Sequence, residues 1–214
     1  MKKFLFLLLA SLFVLSACGD KNTKPTVKKY SYHPKSTVDE IKDKAIEVSN
    51  SKRNREFDSD KYFADYEYGE LFVKEIEPFT EDNSSLNELM DSIGDIENID
   101  KINENQLNKF SPAIKELKET MQKRENREKD APKHLKLVDD NYNLGIKIFY
   151  TTLTDTKNVI KHKKEYSEKQ ISKQEDIIIN NINVASKYFE HGNDLMEGVS
   201  EAYEENGTSL DSSD

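Results

Sequence analysis

The sequence predicts an all-α protein, an up-and-down bundle of four or five helices with a long C-terminal helical hairpin. Three observations carry this reading. Apolar residues between Thr37 and Tyr203 recur at three- and four-residue steps, the period of one helix face. Seven glycines and five prolines are too few for the turns of a β-sandwich or barrel. The last third holds two long apolar stripes joined by a short polar link, the pattern of two antiparallel helices.

The elements follow in order. Thr37 and Glu40 form a capping-box pair, in which each side chain satisfies a free backbone N–H of the other. Val38, Ile41, Ala45 and Val48 then mark a first helix. The period loosens between Asn50 and Asp60 and resumes through Tyr62, Tyr66, Gly69, Val73 and Ile76 up to Pro78. Ser85 with Glu88 reads as another capping box, followed by Leu86, Leu89, Ile93 and Ile96. Ile96, Ile99 and Ile102 step by three, so Gly94 to Asn105 is expected to be frayed or partly 3₁₀. Ser111-Pro112 predicts an N-cap and a proline at the first helical position, with Ile114, Leu117 and Met121 as a narrow stripe. Gln122 to Asp130, nearly all charge and amide, reads as a solvated helix end or loop.

The hairpin is the clearest part. Its first helix is expected from Ala131-Pro132, with Leu135, Val138, Tyr142, Ile146, Phe149, Leu153 and Ile160 on one face. Lys161 to Lys164 suit the negative pole of that helix. Ser167 with Gln170 reads as a fresh cap, and the stripe runs on through Ile171, Ile178, Ile182, Ala185, Phe189, Gly192, Met196, Val199 and Tyr203. One unbroken helix is the alternative; Ser167 and the lost stripe between Ile160 and Ile171 argue against it. Residues 206–214 are polar and acidic and are expected to be disordered.

The N-terminal segment has a different character. Lys2 and Lys3 precede an uncharged run from Phe4 to Leu15, then the small residues Ser16 and Ala17, then Cys18, the only cysteine. A basic start, an apolar middle and a small-residue cleavage site are the plan of a secretory signal peptide. The run is several residues shorter than the roughly 20 that a membrane-spanning helix needs. Leu15-Ser16-Ala17-Cys18 resembles the lipobox of Gram-positive bacterial lipoproteins. That resemblance implies removal of residues 1–17 and a diacylglycerol on the sulfur of Cys18, with two fatty chains sufficing for stable attachment to a membrane. In layout the chain resembles small helical surface lipoproteins of unassigned function. Residues 18–36, rich in lysine and containing Pro25 and Pro34, are expected to be the lipidated cysteine and a flexible tether. A flexible linker of that length has a root-mean-square span of roughly 20–25 Å. Residues 37–205 form the expected bundle domain.

Composition narrows the function. The net charge of −9 makes the body a poor nucleic-acid ligand, so no nucleic-acid partner is expected. A lone cysteine excludes an intramolecular disulfide despite export. His33, His134, His162 and His191 are scattered, and neither HExxH nor a paired-cysteine zinc spacing occurs. Asp139-Asp140 reads as a solvated helix face, and His191 beside Glu190 as a surface pair. GxSxG, Walker A and GxGxxG motifs are missing, so no catalytic residue, cofactor or metal is expected and an enzyme ranks last. One stretch carries functional promise. Tyr62, Phe63, Tyr66, Tyr68 and Phe72 belong to an aromatic cluster that is either bundle core or a face for a partner. The expected function is an extracytoplasmic, membrane-anchored helical module at the outer face of the cell membrane, binding another protein. The alternative is a solute-capturing lipoprotein accessory to a transporter.

Overall fold

The computed structural model describes residues 24–53, 84–93, 98–127 and 133–205. Among them are five α-helices packed up and down: α1 (Val38–Arg53), α2 (Ser85–Ile93), α3 (Glu104–Arg127), α4 (Lys133–Lys161) and α5 (Glu168–Glu205). Short 3₁₀ turns at Ile99–Lys101 and Lys163–Glu165 precede α3 and separate α4 from α5. The expected all-α bundle is therefore present, and so is the C-terminal hairpin.

Local chemistry explains most boundaries. At α1, the Thr37 N–H donates to Glu40 Oε2 (3.0 Å) and the Glu40 N–H to Thr37 Oγ1 (3.3 Å). Ser167 and Gln170 repeat this at α5, with distances of 2.9 and 3.4 Å. The cap of α2 is Ser84, one residue before the expected Ser85. Its hydroxyl accepts the Asn87 N–H (3.0 Å), while the Ser85 N–H donates across to Glu116 on α3 (2.9 Å).

Two expectations for α3 are corrected. The helix does not start at Ser111-Pro112; Asn103 and Gln106 form a capping box ahead of it (3.0 and 3.1 Å), and Pro112 lies inside. An interior proline costs about 3 kcal/mol. Phe110, Ala113 and Leu117, all buried, bracket it against α2 and α4 and hold the helix through it. The second correction concerns the charged run after Met121. Helix α3 continues into it as far as Arg127, and Arg124 is buried.

Helices α4 and α5 pack antiparallel along their length. At two points of their seam a glycine of one helix meets an aromatic ring of the other. A Cβ on Gly145 would stand 2.6 Å from Cε1 of Phe189, and Gly192 faces the ring of Tyr142 in the same way. The two rings lie 6.1 Å apart between centroids. Ile41 and Ala45 of α1 join Leu135, Val138, Leu195 and Val199 in one core cluster. A second unites α2, α3 and α4 through Leu86, Leu89, Phe110, Leu117, Ile146 and Leu153.

The tether reading is corrected for residues 24–36 alone, since residues 18–23 lie outside the described residues. Residues 24–36 lie along the α4–α5 hairpin as an extended strap, with Val27 and Ser36 buried. Their few apolar side chains left no period to read, because the attachment runs mainly through the backbone.

Candidate functional site

The strap and the helix face under it are the most elaborate polar arrangement among the described residues. Gln174, Asn181 and Tyr188 stand seven residues apart on α5, so they share one stripe, and each is buried. Each meets the strap backbone at every third residue. The Val27 N–H donates to Gln174 Oε1 (2.8 Å), the Tyr30 N–H to Asn181 Oδ1 (2.9 Å) and the His33 N–H to the Tyr188 hydroxyl (3.0 Å). The register has a simple origin. Seven helical residues rise about 10.5 Å, and three extended residues cover about 10 Å. Strap and helix therefore stay in step while running in the same direction.

The same side chains satisfy the opposite backbone groups. Asn181 Nδ2 donates to the Lys28 carbonyl (2.7 Å) and to Thr152 Oγ1 on α4 (3.1 Å). Asn180 Nδ2 donates to the Tyr30 carbonyl (3.0 Å), and the Tyr188 hydroxyl donates to the His33 carbonyl (3.1 Å). From α4, Asp155 Oδ2 accepts the Lys28 N–H (3.0 Å). Burial raises the Asp155 carboxyl above its usual range, opposed by that N–H and by the Lys28 charge. Val27 seats in an apolar pocket with Val159 and Ile171, and Tyr30 and Tyr32 pack against Ile148, Val184 and Tyr188. Both ends are closed. The Tyr166 hydroxyl donates to the Pro25 carbonyl at one end, and His191 Nε2 meets the Ser36 carbonyl (2.7 Å) at the other. His191 thus serves the strap and is not the surface pair expected from sequence. Chemically, this face recognises an extended backbone.

A second polar cluster lies between α3 and α4. Arg124 Nη2 donates to Asp139 Oδ1 (2.7 Å) and Arg124 Nε to Asn143 Oδ1 (2.6 Å), with the charged side chains 1% and 3% exposed. Asp139 is therefore buried, contrary to its reading as part of a solvated face. Burial and then the neighbouring Asp140 push its carboxyl up to about 7. The pair ties α3 to α4.

No protein-family model, curated protein or solved structure matches the chain. Among the described residues, no three His, Cys, Asp or Glu side chains gather as a metal site, and no helix is long and apolar enough to cross a membrane. His33 and His191 both lie along the strap, and His162 Nδ1 meets the Asn158 carbonyl (2.8 Å). Cys18 and the aromatic residues Tyr62, Phe63, Tyr66, Tyr68 and Phe72 lie outside the described residues, as do the signal segment and the tail 206–214. Sequence reasoning missed the strap site. The signal lay in α5, where amides and a tyrosine at seven-residue spacing interrupt an isoleucine-rich helix.

Proposed function

We propose that the protein is a lipoprotein anchored through Cys18 at the outer face of the cell membrane, with its helical bundle serving to bind another protein. One observation carries this reading. The only cysteine follows Leu15-Ser16-Ala17 at the end of a basic-then-apolar leader, where a diacylglyceryl thioether and cleavage before the cysteine are expected. The absence of nucleotide, hydrolase and zinc motifs supports a binding role over catalysis. A mainly helical, acidic body supports a protein partner over a nucleic acid.

Replacing Cys18 by Ala tests the anchor. The variant should stay uncut or appear in the medium, whereas wild type fractionates with membranes. A Cys18→Ala chain still cleaved after Ala17 and retained in the membrane would sink the reading. The partner face is tested at Tyr62, Phe63, Tyr66, Tyr68 and Phe72. If they form that face, alanine at each lowers recovery of a crosslinked partner from cell envelopes and shifts stability by only about 0.5 kcal/mol. Losses of about 3–5 kcal/mol would place them in the core instead. A melting temperature that rises with a small solute and not with a protein would favour solute capture.

A further inference from the structure

The strap determines where the N-terminal side of the chain leaves the bundle. At the α4–α5 corner, the Lys24 ammonium donates to the Glu165 carbonyl and stands 5.3 Å from the Tyr166 ring centroid, and Tyr166 also holds Pro25. Only residues 19–23 separate Lys24 from Cys18. Six residue steps of at most about 3.6 Å each keep Cys18 within about 22 Å of that corner. Helix α5 carries the opposite end of the hairpin about 57 Å away, at 1.5 Å per residue over its 38 residues. A lipid on Cys18 therefore brings one particular end of the bundle to the bilayer.

The two ends also differ in sign. From Lys157 to Lys164 the chain carries four lysines and no acid. Lys161 and Lys164 are exposed, as are Lys24 and Lys101 nearby. Lys163 ties the 3₁₀ turn to this corner by donating to the Ile102 carbonyl (2.9 Å). Asp100, Glu165, Glu168 and Glu175 are present as well, but Lys24, Lys101, Lys157, Lys161, Lys163 and Lys164 exceed them. From Glu190 to Glu205, α5 carries six acids and no lysine or arginine. An anionic bilayer attracts the first end within about a Debye length and repels the second.

We infer that the α4–α5 corner is the membrane-facing surface of the protein, its lysines lying against anionic lipid head groups of the bilayer that holds the Cys18 lipid. This rests on lipid attachment at Cys18. The acidic end of α5 then points away from the membrane, and the bundle stands on its corner.

Depth quenching tests the inference. Full chains carrying Lys164→Cys or Glu197→Cys, both at exposed positions, are recovered from membranes of producing cells and labelled with a fluorophore. They are then placed in phosphatidylcholine vesicles with about one-third phosphatidylglycerol and a head-group quencher, at low salt where charge attraction is least screened. Circular dichroism confirms that each variant keeps its helices, and intact mass shows whether Cys18 is lipidated. The label at 164 should be quenched severalfold more than the label at 197. That contrast should fall by at least twofold in vesicles of phosphatidylcholine alone. Equal quenching at the two positions, or stronger quenching at 197, overturns the inference while lipidated Cys18 leaves the anchor reading standing. The same contrast in neutral and anionic vesicles removes the lysine contact. A mass without lipid on Cys18 overturns the anchor reading and this inference together.

Discussion

Arg124 and Asp139 show what single residues contribute. A buried pair is stabilising only relative to its broken forms, because each ion loses its hydration. The broken forms differ here. Asp139→Leu takes this carboxylate from a buried guanidinium that cannot give up its proton, and should cost about 3–5 kcal/mol. Arg124→Met leaves a carboxyl that burial already pushes up to about 7, so it can take a proton and the loss should be smaller. Since the raised folded pKa favours the protonated form, the Arg124→Met variant should lose stability as pH rises from the ordinary aspartate value of about 4 up to the raised folded value, and level off above it. The double variant should return to within about 1 kcal/mol of wild type. Denaturant melts at pH 6 and 8.5 check all three, and a larger loss for Arg124→Met than for Asp139→Leu would refute the asymmetry. This pair was hard to read because both residues sit among other charges. The buried face differs from the expected stripe of Ile114, Leu117 and Met121: Phe110, Ala113, Leu117, Thr120 and Arg124 step by three and four and all are buried. Tyr142 offers a further check. Burial pushes its hydroxyl up to about 12. Its contribution is fully present below about pH 10, the ordinary tyrosine value, and is lost as pH rises through about 12. Tyr142→Phe should therefore flatten part of the alkaline fall in stability seen in wild type.

At the scale of elements, the capping boxes Thr37–Glu40 and Ser167–Gln170 were legible because their chemistry is local and sits in four consecutive residues. The stripe of α4 was legible for a similar reason: Leu135, Val138, Tyr142, Ile146, Leu153 and Ile160 keep the helix period and are buried. The strap was not legible, because a segment held by its backbone shows no pattern of its own side chains. Its energetics are testable through the residue that makes the most bonds to it. Asn181→Leu removes the partners of the Tyr30 N–H, the Lys28 carbonyl and the Thr152 hydroxyl, and should cost about 2–4 kcal/mol. Hydrogen exchange should then show the amides of Val27, Tyr30 and His33 losing protection while those of α4 and α5 keep theirs. Tyr188→Phe should do the same more weakly, by about 1–2 kcal/mol, and mainly at His33. Strap amides that exchange as fast as an unstructured peptide in wild type would show that the strap is not held. The seam has its own test. Gly145→Val places atoms against the Phe189 ring and should cost about 1–3 kcal/mol, read as a lowered melting temperature.

For the whole molecule, helix period and the scarcity of glycine and proline sufficed for the fold class, since a bundle is assembled from local periodicity and short connections. Where the chain enters that bundle depended on contacts between residues some 150 apart in sequence, such as Tyr30 with Asn181. Those contacts bind residues 24–36 to the hairpin, so that segment is not the flexible tether expected; under the proposed lipid anchor, the lysine-rich corner would be the end nearest Cys18. The central claim is the anchor itself. Intact mass of the protein extracted from membranes of producing cells tests it most directly. The account predicts a chain that begins at Cys18 and carries the added mass of a diacylglycerol on that residue. An unmodified chain, or one that retains residues 1–17 in the membrane, would contradict it.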